Sequence, residues 1–579
     1  MFFYFSALIL LSFYTHLWYS EKNKIGGIIL QLNILINHVG YLTHGPKFFV
    51  VEHPRCDTFT LLDRNTLKPI YEGTLTRISG DLGDAFVGDF SDFTQSGAYL
   101  IECPGFLFEY PTRSEVVVIS DVLYHMPMRT IANYFTLQRC GNTYENWCGP
   151  CHEGDAFCEH LGEHKELTGG WHQSCDLRKW VQSSSWAFFA LEDLAHYTPL
   201  SPVFKNKPLE EMKWGNEYFQ KLVQDDGRLL DSVIYPNHFG DRKVFADHPP
   251  FFGVFNVINA QCICARAFAE RDTDYAQTCI TLAKKVYDYY TAESAPTHYA
   301  PKVVPPFHDF LPKLFTQNYQ GSALYVGGLL HCALQLYKTT KEAIYLQHAQ
   351  RFADDLCRLQ DRTDQPTKGA FYRDKTKDHY ISTTDDGALG PIALVELSQM
   401  NLPNQSQYAE TARLYGEHLL TMASKNPWGM PACYLYSYEA KGSRKLGNAY
   451  YRYFADDYEF GCNKEILGRA LFLLELYKFT QDKRYHNAAT RIADFVLGVN
   501  MMNISTVEGV GRNQPQRLIN TTEFDPKTPQ IPGAVFTGFS GYPLTDEPYA
   551  DTSLANEYDM PATSFMLMLL TRLQTMELQ

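Results

Sequence analysis

Positive charge is what the sequence is short of. Its 51 Lys and Arg face 65 Asp and Glu, a net charge of −14, which excludes nucleic acid and anionic membrane surfaces as main partners. A fixed repeat is also missing. No 34–45-residue motif recurs, which disfavours a superhelical array. The 14 cysteines are scattered over a long chain and form no compact disulfide framework. What is present is ordinary for a soluble globular protein, with 45% apolar and 20% charged residues. At 579 residues the chain exceeds one hydrophobic core, so two domains are expected. Aromatic residues reach 14%. Much of that belongs to a core, but aromatic clefts also suit the flat apolar faces of sugars.

Met1 to Ser20 is almost wholly apolar or aromatic, and charge begins at Glu21. Residues 1–25 therefore read as a secretory signal or a membrane anchor, since about 20 residues just span a bilayer. The basic leading region and a small-x-small cleavage site are both absent, and a start codon placed too far upstream is a third reading. Export to the medium or the cell envelope is the expectation.

From 33 to 120 the chain reads as short strands. Ile34–Val39, Phe48–Glu52, Phe59–Leu62, Tyr71–Thr76, Ala85–Phe90, Ala98–Glu102 and Val116–Ile119 are β-branched or aromatic runs separated by turn residues. That spacing fits an immunoglobulin-like β-sandwich, across which Cys56 and Cys103 could pair. From 121 to 579 the period becomes helical. About a dozen helices follow in consecutive pairs, among them Asp121–Gln138, Lys179–Tyr197, Leu209–Gln224, Cys462–Thr480 and Asn556–Thr575. Paired helices in this number suit a closed all-α double ring, an (α/α)6 barrel. The long irregular stretches 225–253, 295–320 and 500–555 are candidates for a binding face.

Five separate segments carry a resemblance, in order along the chain. They are Asn37-His38-Val39-Gly40-Tyr41-Leu42, Gly169-Gly170-Trp171-His172-Gln173-Ser174-Cys175-Asp176 with Lys179, Gly461-Cys462-Asn463 with Arg469-Ala470, Leu497-Gly498-Val499-Asn500, and Asn556-Glu557-Tyr558. Together they resemble glycoside hydrolase family 9 with its preceding immunoglobulin-like domain. The second segment is similar to that family's Gly-Gly-Trp-(His/Tyr)-Asp-Ala-Gly-Asp motif, and the last matches its Asn-Glu signature.

The resemblance implies an inverting glycosidase acting on a β-linked glucan or related oligosaccharide. Glu557 matches the acid that protonates the leaving oxygen and Asp176 the base that activates water; inversion places such carboxyls roughly 6.5–9.5 Å apart. Read without the family, Asn556-Glu557 and Asp176 could equally be helix-start residues. Two departures stand out. Gln173 replaces the motif's first aspartate, so it can position water but carries no charge. After Asn500 the family's histidine is missing, and Arg517 is the candidate to keep the arginine role. Trp428, in the turn Asn426-Pro427-Trp428-Gly429, is expected to be exposed and to contact sugar, with a cap over helix ends as the other reading.

The resemblance also implies structural zinc held by Cys140, Cys151, His152 and His172, a tetrahedral Cys/His set of the usual kind. A Cys148–Cys158 disulfide and a Cys148-Gly149-Pro150-Cys151 redox pair compete with it, although the strand-then-helix setting of the latter is absent. Asp385-Asp386 could be a helix start, a calcium ligand pair or a sugar contact. Two other functions remain open: a glycan-binding protein that has lost turnover through Gln173, and a polysaccharide lyase, which the lack of a basic cleft signature disfavours.

Overall fold

The computed structural model describes residues 33–52, 54, 57–104, 111–158, 161–175, 177–197, 199, 202–230, 233, 243–244, 253–292, 321–381, 388–434, 443–453, 461–514, 530–539 and 557–579, with a short hairpin at 24–25 and 28–29. The apolar segment before it, Cys56, Asp176, Asp385, Asp386, Arg517 and Asn556 lie outside the described residues, as does most of 225–253 and all of 295–320.

The strand-forming runs build an immunoglobulin-like domain. Its strands are β1 (Ile34–Leu35), β2 (Phe48–Val51), β3 (Thr58–Asp63), β4 (Pro69–Gly80), β5 (Gly83–Asp89), β6 (Gly97–Cys103), β7 (Thr112–Arg113) and β8 (Val117–Ile119). They lie in the order β8-β6-β3-β4-β5-β2-β1, with β7 beside β6 and every pairing antiparallel. β4 is longer than the expected Tyr71–Thr76 because it serves both halves, pairing first with β3 and then, from Leu75, with β5. Period-2 alternation explains β2, all of which is buried. Phe49 and Val51 face the sandwich core, whereas Phe48 and Val50 join the core of the helical domain.

Twelve helices longer than a single turn follow among the described residues: α1 (His125–Leu137), α2 (Trp186–His196), α3 (Pro202–Leu222), α4 (Gly253–Phe268), α5 (Thr273–Thr291), α6 (Ala323–Thr340), α7 (Ala343–Arg358), α8 (Leu389–Ser398), α9 (Gln405–Ala423), α10 (Asn463–Thr480), α11 (Lys483–Val496) and α12 (Met560–Glu577). Each even-numbered helix packs on the next even-numbered one, and α12 packs back on α2. The odd-numbered helices lie outside them. Sequence dictates the division. α6 is buried continuously from Ala323 to Leu336, as an inner helix must be, while α7 buries only a stripe of Tyr345, Ala349, Phe352, Ala353, Leu356 and Cys357. At the C-terminal ends of the inner helices, ion pairs join neighbours: Glu192 to Arg266, Lys338 to Glu396, and Arg572 to both Asp193 and Glu475, at 2.6–2.9 Å.

Three expectations change. Lys179–Tyr197 is broken into a single turn, Val181–Ser184, and α2. The helix expected from Leu209 begins at Pro202, and Pro208 is accommodated within it. The last helix begins at Met560 rather than near Asn556, because Asp559 caps it by accepting the Ala562 N–H at 2.8 Å.

The opening motif is an interdomain joint. Asn37 donates to Asp494 on α11 at 2.8 Å, and the His38 N–H donates to the Leu497 carbonyl at 2.9 Å. Because His38 Nδ1 accepts from the Arg512 N–H at 3.1 Å, its Nε2–H is the donor to Asn503 Oδ1 at 2.8 Å. Gly498 must be glycine: its φ is +129°, and a Cβ there would lie 2.4 Å from the His38 ring. A second contact comes from the β4–β5 turn. Asp81 accepts from the Tyr451 and Tyr453 hydroxyls at 2.8 Å each, and its N–H donates to the Lys425 carbonyl at 2.8 Å.

Candidate active site and metal loop

Backbone pairing assembles the metal loop before any side chain acts. The Cys140 N–H donates to the Gly170 carbonyl, the His172 N–H to that of Gln138, and the Cys151 N–H to that of Gly141, at 2.8–3.1 Å. These bonds bring the ligand atoms of Cys140, Cys151, His152 and His172 within 4.8 Å of one another. Cys140 Sγ is 3.7 Å from His152 Nδ1, Cys151 Sγ is 3.7 Å from His172 Nε2, and the two imidazole nitrogens are 3.4 Å apart. Bonds of about 2.0 and 2.3 Å at tetrahedral angles put ligand atoms roughly 3.3–3.8 Å apart. The donor set suits a four-coordinate ion in chemistry, and these three separations match its spacing. Cys148 and Cys158 are free thiols, which removes the local disulfide. The Cys148 thiol donates to Cys151 Sγ at 3.8 Å, with no disulfide between them.

Buried charge stiffens the surroundings. Glu211 accepts from Trp171 Nε1 at 3.3 Å and pairs with Arg139 at 2.8 Å, which ties residues on both sides of the ligands to α3. Lys179 forms a wholly buried ion pair with Asp155 at 2.8 Å, donates to the Leu167 carbonyl at 2.6 Å, and lies 4.5 Å over the Tyr218 ring. Breaking such a pair on one side leaves an uncompensated buried charge.

Directly after His172, the chain reaches the candidate acid. The Gln173 carbonyl accepts the Tyr134 hydroxyl at 3.2 Å and the Met560 N–H, the first of α12, at 3.1 Å. Ser174 Oγ then donates to Glu557 Oε1 at 2.8 Å. Glu557 is not helical. It sits in an extended segment where its carbonyl accepts the Thr537 N–H and Tyr558 bridges to Phe536, which continues to a Val507–Val535 bridge. The motif at Gly461 braces this ladder. Asn463 Nδ2 donates to Thr506 Oγ1 at 2.8 Å and to the Phe536 carbonyl at 2.9 Å, and a Cβ on Gly461 would collide with the Thr537 carbonyl at 2.3 Å. Asn500 fixes the following loop by donating to the carbonyls of Phe495 and Ile504, both at 2.7 Å.

The structure thus joins Gln173 and Glu557 through adjacent backbone and Ser174, and it gathers the four metal-loop residues. Asp176 and Arg517 lie outside the described residues. Trp428 is corrected: it is 5% exposed, packed in the helical core, because Asn426 Oδ1 accepts the N–H groups of Trp428 and Met430 and closes the turn inward. Ser174 was missed by sequence reasoning. Its signal was a hydroxyl at a place where the resembled motif has alanine. Asp559 was missed too, although Asp559-Met560-Pro561 is a cap followed by an early helix proline.

Comparison with known proteins agrees with this geometry. The profile of glycosyl hydrolase family 9 matches residues 124–565, and that of the cellulase N-terminal ig-like domain matches residues 31–106. A cellodextrinase from Butyrivibrio fibrisolvens is 25% identical over 525 residues, covering 83% of this chain and 85% of that protein. Endoglucanase D from Acetivibrio thermocellus is 22% identical over 521 residues, covering 83% and 73%. A metagenome-derived family 9 endoglucanase superposes with a TM-score of 0.70 at 20% identity, over 94% of this chain and 99% of that one. The chain belongs to glycosyl hydrolase family 9, a family of glycosidases, preceded by its cellulase-type immunoglobulin-like domain.

Proposed function

We propose that the protein hydrolyses short β-linked gluco-oligosaccharides by inversion, with Glu557 as general acid and Asp176 as general base, inside a closed (α/α)6 barrel. The observation that carries the acid assignment is the Ser174–Glu557 hydrogen bond, which joins the carboxyl to the Gly169–Asp176 loop across 383 residues. A carboxyl held at one oxygen keeps the other available to protonate a leaving group. Gln173 keeps the amide donors needed to orient water but leaves Asp176 alone to take its proton. The cyclic contacts of α2, α4, α6, α8, α10 and α12 support the barrel. The cellodextrinase among the relatives supports short chains as substrate.

Zinc is the proposed ion for Cys140, Cys151, His152 and His172, and when bound it supplies a rigid cross-link rather than reaction chemistry. His172 immediately precedes Gln173, so a fixed imidazole there fixes the loop that meets Glu557. Export to the medium or envelope is proposed from the apolar Met1–Ser20 segment.

Gln173 specifically favours one competing reading, a glycan binder without turnover. Cello-oligosaccharides and soluble β-glucans, assayed for new reducing ends and for absorbance of unsaturated sugars, separate the possibilities. Hydrolysis predicts reducing ends alone; binding without product would overturn the proposal, and unsaturated product would indicate a lyase.

A further inference from the structure

A cavity of about 310 Å³ lies inside the ring of inner helices, running from the early turns of α2, α8 and α12 at Trp186, Leu389 and Phe565 to the later turns that carry the ion pairs. The catalytic segment precedes the start of α12, so the ion-paired end of this cavity lies toward the opposite end of the ring. Its size falls at the lower end of the range of about 300–1,000 Å³ usual for small-molecule sites.

The lining has two parts. Trp186, Phe189, Phe565 and Met568 give an apolar, aromatic inner wall, with Trp186 and Phe565 in edge-to-face contact at 4.8 Å. The mouth carries the ion pairs between inner helices described above, where four carboxylates meet three cations. No surplus positive charge is left to attract an anion.

Two buried polar atoms of the lining have no partner among the described residues: Trp186 Nε1 and Gln335 Oε1. Trp186 is 1% and Gln335 5% exposed. The orientation of Gln335 is set from behind. Burial pushes His331 down to about 3, so its ring is neutral. Its Nδ1–H donates to Asn259 Oδ1 at 3.2 Å, which leaves Nε2 to accept from the Gln335 amide at 3.4 Å. The Gln335 carbonyl is thereby left as an unmet acceptor, and the Trp186 indole N–H is an unmet donor on the aromatic wall. An unmet donor and acceptor in a buried place cost stability unless something satisfies both. Hydroxyl groups both donate and accept, and a pyranose ring presents them around apolar C–H faces.

We propose that this cavity is a binding site, separate from the catalytic cleft, for one neutral pyranose sugar, held by Trp186 and Gln335 and bounded by the ion-paired mouth.

The test uses the full chain carrying Glu557→Gln, with the cleft saturated by cellotetraose and D-glucose titrated by equilibrium dialysis. One glucose bound per chain under saturation is expected, weakened at least tenfold by the near-isosteric Gln335→Met. A crystal of the unsubstituted protein soaked in glucose should show the sugar against Trp186. No glucose bound beyond the cleft, equal binding in Gln335→Met, or ordered water alone in the soaked crystal would overturn the proposal. Failure to bind cellotetraose would instead count against the catalytic reading, and glucose binding at the cavity could still be measured without it.

Discussion

Glu557 is held at three places: its carbonyl by Thr537, its side chain by Ser174, and its neighbour Tyr558 by a bridge to Phe536. A general acid contributes about a hundred- to ten-thousand-fold to rate. Glu557→Gln should therefore lower kcat by that order on cellotetraose while leaving KM and the folding midpoint close to the original. Ser174 acts on the reaction through Glu557. A hydrogen bond to a neutral carboxyl is worth about 0.5–1.5 kcal/mol, so Ser174→Ala should reduce kcat by roughly two- to tenfold with little change in KM. Restoration by Ser174→Thr would separate the hydroxyl's role from packing. At this scale the sequence was informative where a motif named a residue type and uninformative where contact decided. The family motifs pointed to Glu557 and to Cys140, Cys151, His152 and His172, and the structure brings the ligand atoms of those four within 4.8 Å of one another. Ser174 was not readable in this way, because its partner lies 383 residues away. Trp428 was misjudged because a turn suggests exposure, whereas the Asn426 side chain folds that turn into the core.

The metal loop has little regular structure of its own. Residues 138–141, 151–152 and 170–172 meet through isolated backbone bridges, so their position rests on a few hydrogen bonds and on the ligand set. Purified protein should contain one zinc per chain, and His172→Ala should abolish it. Removal of the ion by a chelator should lower Tm by about 5 °C or more and reduce kcat in parallel, as coupled binding and folding requires. Zinc content far below one per chain would contradict this. Helix positions were largely legible because amphipathic stripes and continuous apolar runs distinguish outer from inner helices. Their ends were less so. The break between Val181–Ser184 and α2, and the start of α12 at Met560, depend on caps and on tertiary bonds such as Met560 N–H to the Gln173 carbonyl.

At the scale of the molecule, the immunoglobulin-like domain is part of the scaffold of the helical one. Phe48 and Val50 contribute to the helical core, and Asn37 reaches the buried Asp494. Burial raises the Asp494 carboxyl to about 8, so the folded protein keeps a proton that the unfolded chain loses near 3.8. Stability from this group is full below about pH 4, declines as pH rises, and is lost above about pH 8. Asp494→Asn, which keeps the oxygen that Asn37 meets, should raise Tm more at pH 8 than at pH 5; an equal effect at both would contradict the assignment. None of this joint could be read from periodicity, since it depends on which faces of two domains meet. The proposed chemistry is cleavage of a β-glucan with inversion by Glu557 and Asp176. Proton NMR of cellotetraose during the first turnovers tests it most directly. The new reducing end should appear first as the α-anomer and then mutarotate. Initial appearance of the β-anomer, or no cleavage at all, would contradict it.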